Sequence, residues 1–157
     1  MLAPGAQPDL DFKLDVVRDG VVENVRFRDL FKRPTIVSVY MKNKTPSCDR
    51  QNDSLVAQAA ALAKAGYDLV ALSRDTCGSH QKYAVAKTIT YVLASDPEDR
   101  FAQAMEAVVE KSMYGKKYFG PARAAFVFDR NGKVLAVVEK VDTADHAAQL
   151  LAVLKTL

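Results

Sequence analysis

The chain of 157 residues contains only two cysteines and two histidines, no apolar run long enough to span a bilayer, and no block of lysine or arginine. Each shortage excludes a class. Two cysteines cannot build a disulfide framework, so the pair is left for catalytic, redox or inert roles. A structural zinc site needs about four ligands. Cys77-Gly-Ser-His80 has the spacing of half such a site, but His146 is the one histidine left to complete it. No metal or other cofactor is expected, and no Ser/His/Asp arrangement can be built from so few histidines. The net charge of +3 is spread among acidic residues, which argues against nucleic-acid binding. Met1 to Asp11 carries Asp9 and Asp11 and no apolar h-region, so the expected location is cytoplasmic, away from any membrane. With 49% hydrophobic residues and no break in composition, residues 1–157 are expected to form one domain with a substantial core.

The organising stretch runs from Tyr40 to Cys48. It follows the apolar run Thr35–Tyr40, which reads as a buried strand, and precedes Asp49–Lys64, which reads as an amphipathic helix. Thr45 is placed as an N-cap and Pro46 as the first helical residue, which puts Cys48 in the first turn, where backbone N–H groups have no helical partner. A helix N-terminus with cationic neighbours such as Lys42, Lys44 or Arg50 lowers a thiol pKa, and the thiolate is the reactive form. The bland alternative is a buried cysteine that only packs.

Around that stretch the chain alternates strands and helices. Phe12–Val17 and Val21–Phe27 read as a hairpin across Asp19-Gly20, with a helical turn over Arg28–Phe31. Gly66 stops the helix after Cys48; Tyr67–Ser73 is a second buried strand, Ser79–Lys87 a helix and Thr90–Ala94 a third strand. A helix from Asp96 is predicted to carry Phe101, Met105, Val108 and Val109 on one face, as core rather than as a cofactor box. Ala124–Phe128 and Val134–Val138 flank Asn131-Gly132 as an antiparallel pair, and Ala144–Leu154 is a terminal helix capped by Thr143 or Asp142. The class is α/β with a central mixed β-sheet flanked by helices, and the cysteine at a strand-to-helix junction suggests a thioredoxin-like layout. The C-x-x-C pair of thioredoxins is absent, so one thiolate must act with help from elsewhere in the chain.

Three stretches together resemble the peroxiredoxins of the AhpC/TSA family, specifically the peroxiredoxin Q or bacterioferritin comigratory protein type. Tyr40–Cys48 is similar to the signature of proline, three residues, threonine, two residues and the peroxidatic cysteine. Val70–Asp75 with Ser79-His80 is similar to the family's following strand and helix. Met113–Lys117, Gly120–Asp129 and Gly132-Lys133 match the segment bearing the family's arginine. The resemblance runs from Pro4 to Leu154. It implies that Cys48 is the peroxidatic cysteine, that Thr45 hydrogen-bonds thiolate and peroxide, and that Arg123 lowers the thiol pKa and orients substrate, with Gln51 as a supporting polar contact. It implies reduction of hydrogen peroxide and alkyl hydroperoxides, recycling by thioredoxin or a glutaredoxin-like reductant, and a monomer or weak dimer. Two departures stand out. Met41 replaces the signature proline, and Asp53 occupies a position where many members carry the resolving cysteine. Cys77, earlier in its helix than the usual alternative place, is the remaining resolving candidate. The competing expectations are a one-cysteine peroxidase and a non-catalytic redox sensor or binding module. His80 and His146 are expected on helix surfaces.

Overall fold

A computed structural model describes residues Met1–Leu157. Its centre is a sheet of seven strands: β1 (Lys13–Arg18), β2 (Val21–Arg26), β3 (Thr35–Val39), β4 (Asp68–Ser73), β5 (Val92–Ser95), and, late in the chain, β8 (Ala125–Phe128) and β9 (Val134–Val138). The order is β2-β1-β5-β4-β3-β8-β9. Strands β3, β4 and β5 are parallel, while β1 and β8 join them antiparallel, so the sheet is mixed. Every residue of β3 is buried, which is why Thr35–Val39 reads as a mostly apolar run, with Thr35 and Ser38 as its polar members, rather than as an alternating one.

Side chains of the central strands alternate between two cores. Val37, Val39, Val70, Leu72, Phe126 and Phe128 face one side, where Phe27, Phe31, Phe101 and Met105 pack. Ile36, Leu69, Ala125 and Val127 face the other, beneath Leu55 of α1 (Pro46–Ala57), Leu62 of α2 (Ala59–Lys64) and Leu150 of α5 (His146–Leu154). On that same face Val17, Tyr40, Ala71 and Leu93 surround Cys48, together with Tyr83 from α3 (Cys77–Lys87).

The hairpin between β1 and β2 turns at Asp19 and Gly20, whose φ values of 52° and 76° are the left-handed pair such a tight turn requires. Four expectations are corrected. The helix after Cys48 is two helices, broken at Gln58, whose φ of −117° and ψ of 14° leave helical geometry. The apolar spacing from Phe101 to Val109 is not one helix: α4 covers only Arg100–Ala104, Glu106 turns the chain at a φ of 53°, and Val108 and Val109 open a strand. That strand, β6 (Val108–Met113), pairs with β7 (Lys116–Pro121) in a separate two-stranded sheet. The terminal helix is capped by Asp145, which accepts from the Ala148 N–H, rather than by Thr143 or Asp142. Lastly, His80 and His146 are fully buried instead of lying on helix surfaces.

Candidate active site

Strand β3 ends where Tyr40 and Met41 leave the sheet, and the chain turns through Lys44 at a φ of 64° into α1. Pro46 is the first helical residue, which places Cys48 in the opening turn. Thr45 occupies the N-cap position without capping: its hydroxyl donates to the Lys42 carbonyl at 2.7 Å, and the helix end has no side-chain cap. The turn is fastened elsewhere. Asn43 accepts from the Tyr40 hydroxyl, and its side-chain amide donates to Ser79 Oγ and His80 Nδ1, each at 3.1 Å. His80 gives its one ring proton, on Nε2, to the Ala94 carbonyl, 3.1 Å away, so Nδ1 is the bare nitrogen. The loop before Cys48 is thereby tied to the start of the helix that carries Cys77.

Cys48 is 1% exposed. Burial acts to raise its thiol pKa, but the Thr45 hydroxyl, backbone groups of Lys42 and Met41, and the Arg123 guanidinium favour the thiolate and bring the net shift below the ordinary value. Bonds that favour an anion are donated to it, so the Lys42 and Met41 contributions come from their N–H groups. Thr45 has one hydroxyl proton, so donation to sulfur competes with its bond to the Lys42 carbonyl.

Arg123 lies in the bend between β7 and β8, 75 residues from Cys48 in the chain, and its Nη1 is 3.4 Å from Cys48 Sγ. The same nitrogen donates to Gln51 Oε1 at 2.7 Å, and Nη2 donates to Ser47 Oγ at 3.2 Å. Gln51 and Ser47 sit one turn after and one residue before the cysteine, so a single helical turn holds the guanidinium against the sulfur. Ser47 was not singled out by sequence reasoning; its place beside the cysteine was the available signal. Lys111 of β6 also reaches the site: its Nζ is 2.7 Å from Met41 Sδ. Burial and the neighbouring Arg74 and Arg123 cations push the Lys111 pKa down. That contact was invisible in sequence because the β6–β7 hairpin itself was missed.

Cys77 is the first residue of α3, half-buried and unbonded to Cys48. It packs against the same apolar cluster that surrounds Cys48. Burial, with Asp15 nearby, raises its thiol pKa, the opposite of Cys48. The structure therefore brings Cys48, Thr45, Gln51 and Arg123 into one site and sets Cys77 on a neighbouring element.

Residues 6–137 match the model of the AhpC/TSA family. The chain belongs to the AhpC/TSA family. Among curated relatives it is 32% identical over 120 residues to Peroxiredoxin Bcp of Xanthomonas campestris, covering 76% of this chain and 75% of that protein. It is 27% identical over 150 residues to Peroxiredoxin Bcp of Bacillus subtilis, covering 96% and 92%. A solved structure of Xanthomonas campestris peroxiredoxin Q superposes with a TM-score of 0.84 at 28% identity, over 99% of this chain and 96% of that one. These neighbours share the thioredoxin-like peroxiredoxin fold. No helix is long and apolar enough to cross a membrane.

Proposed function

We propose that Cys48 is the thiolate through which this thiol-dependent peroxidase reduces hydrogen peroxide and alkyl hydroperoxides. The observation that carries the assignment is Arg123 Nη1 at 3.4 Å from a buried Cys48 Sγ whose pKa is lowered. The alkyl substrate class draws support from a solved relative, the Xanthomonas campestris bacterioferritin comigratory protein, described for its alkyl peroxide reduction activity; it superposes with a TM-score of 0.86 at 27% identity, covering 99% of this chain and 98% of that one.

The thiolate attacks one peroxide oxygen in line with the O–O bond. The S–O bond forms as the O–O bond breaks, sulfur loses two electrons, and the departing oxygen takes a proton to leave as water or alcohol. Arg123, the Thr45 hydroxyl and first-turn N–H groups stabilise the charge that develops on the oxygens. Cys48 sulfenic acid then condenses with the Cys77 thiol, releasing water and forming a disulfide. Two electrons and two protons from a dithiol reductant, thioredoxin or glutaredoxin-like, restore both thiols. That need for a reductant fits a reducing, cytoplasmic setting. The reading takes residues 1–157 as one working unit, a monomer or weak dimer.

One equivalent of hydrogen peroxide added to the reduced protein, followed by mass-spectrometric mapping, tests this. A Cys48–Cys77 disulfide is expected, with no peroxide consumption by Cys48→Ser. Stable oxygen addition at Cys48 alone would replace the Cys77 step with an external thiol, and an unreactive Cys48 would overturn the assignment.

A further inference from the structure

Behind Arg123 a line of buried polar side chains runs from the active site, over one face of the sheet, to the C-terminal helix. Gln51 Nε2 lies 2.9 Å from Ser38 Oγ and, more weakly placed, 3.3 Å from the Val39 carbonyl, and Ser38 Oγ lies 3.0 Å from His146 Nε2, the histidine being 108 residues away in the chain. Ser38, Gln51 and His146 are each fully buried. His146 Nδ1 is 3.1 Å from Gln149 Oε1. Such a line lies between the sheet and the two helices on one of its faces and has no solvent to complete it, so its polarity must be consistent throughout.

The polarity can be fixed from both ends. Arg123 has no acceptor, so the Gln51 oxygen must face it and the Gln51 amide nitrogen must face Ser38. Ser38 Oγ accepts that proton and gives its own to His146 Nε2, which must then be bare. From the far end, Gln149 Oε1 already accepts the Asp142 N–H while Gln149 Nε2 donates to the Lys140 carbonyl. Gln149 Oε1 therefore demands a proton from His146 Nδ1. Both ends require the same neutral tautomer, with Nδ1 protonated and Nε2 accepting.

We propose that His146 is a positioning residue for the peroxidase site: through Ser38 it fixes the rotation of the Gln51 amide, and the Gln51 oxygen fixes the Arg123 guanidinium on Cys48. Without the acceptor at His146 Nε2, the Ser38 proton has no partner on that side and turns toward Gln51. The Gln51 amide nitrogen then meets a donor, and the longer bond to the Val39 carbonyl alone is left on that side to present Gln51 Oε1 to Arg123. This rests on reading Cys48 and Arg123 as the reacting pair, and two separate readouts keep the ideas apart: titration of the Cys48 thiol by thiolate absorbance, and the rate of peroxide reduction.

His146→Leu is expected to raise the Cys48 pKa and slow peroxide reduction about tenfold, the scale of losing an outer-shell orienting partner. His146→Gln, which offers an oxygen where Nε2 stood, should restore most of both. In a Gln51→Leu background, His146→Leu should change neither readout further. Ser38→Ala makes the same cut with a smaller change of volume, and serves if His146→Leu does not fold. Loss of melting temperature alone, with the Cys48 titration and rate unchanged in the folded variants, would overturn the proposal. So would an effect of His146→Leu that persists in full without Gln51. If the Cys48 titration shifts as expected in a protein that consumes no peroxide, the positioning chain stands and the peroxidase assignment falls.

Discussion

At the scale of single residues, the site depends on donors aimed at one sulfur. Arg123 shares Nη1 between Cys48 and Gln51, so Arg123→Leu removes a cation from the thiolate and leaves the Gln51 oxygen without its donor. The Cys48 pKa should rise, and peroxide reduction at neutral pH should slow by roughly 10²- to 10³-fold, the usual cost of losing a preorganised transition-state donor. Stopped-flow mixing with hydrogen peroxide measures it; a rate within about threefold of wild type, well below that range, would remove Arg123 from the chemistry. Met41 makes a finer test. Its N–H is among the groups favouring the thiolate, whereas a proline there has none to give. Met41→Pro should therefore raise the Cys48 pKa, while Met41→Leu, which keeps the N–H and loses only the sulfur beside Lys111, should not. Equal titrations for the two variants would show that the backbone donor at this position is irrelevant.

Among the elements, α1 and α3 hold the two cysteines and are clasped by a polar cluster next to the apolar one. The Tyr83 hydroxyl donates to Asp49 Oδ1 at 2.7 Å, Asn52 Nδ2 donates to the Cys48 carbonyl at 3.1 Å, and the Tyr91 hydroxyl donates to Asn52 Oδ1 at 2.8 Å. Burial and the Asp49 bond hold the Tyr83 hydroxyl pKa well above its ordinary value, so it stays a donor throughout the working range. On the proposed Cys48–Cys77 pairing, a buried sulfur in the first turn of α1 has to meet a thiol on α3 with the two Cα atoms within about 7 Å, so opening of that turn is the expected step. Tyr83→Phe removes one hydrogen bond of the clasp, worth about 1 kcal/mol. Disulfide formation after oxidation should accelerate about fivefold, with faster amide exchange over residues 46–54 and an unchanged first step. An unaltered disulfide rate would mean that α1 opening is not controlled there. The sequence exposes the elements that carry local signals: the Asp19-Gly20 turn, the buried run of β3, and Pro46 opening the helix at Cys48. It hides those decided by distant contacts. Phe101, Met105 and Val108 have helical spacing, yet Glu106 breaks α4 and Val108 pairs with Pro121. Arg123 was legible only through its family resemblance, because nothing local distinguishes it from a surface charge beside a strand. The burial of His146 depends on Ser38, on another element entirely, and no spacing within α5 announces it.

For the whole molecule, the two buried histidines predict how stability responds to acid. Burial pushes the pKa of each below its ordinary value, against Asp75 and the Ala94 carbonyl at His80, and against the Gln149 bond and Asp142 at His146, where Arg123 adds to the lowering. In the unfolded chain both return to about 6.5. Between that value and their lower folded values, the unfolded state binds more protons than the folded one, so stability rises with pH and is lost as pH falls below about 6.5. Each histidine can contribute a slope of at most about 1.4 kcal/mol per pH unit in that window. Asp96 acts in the opposite sense: burial raises its carboxyl pKa, so the folded state takes up its proton first and gains stability as pH falls toward the ordinary carboxylate range. Acid loss should therefore begin near pH 6.5 and flatten where Asp96 titrates. Denaturant unfolding at half-unit steps from pH 7.5 to pH 4.5 checks this. His80→Gln and His146→Gln should each shallow the slope below about pH 6.5, since glutamine has no proton to gain. A slope that survives both substitutions would assign the acid sensitivity to other groups.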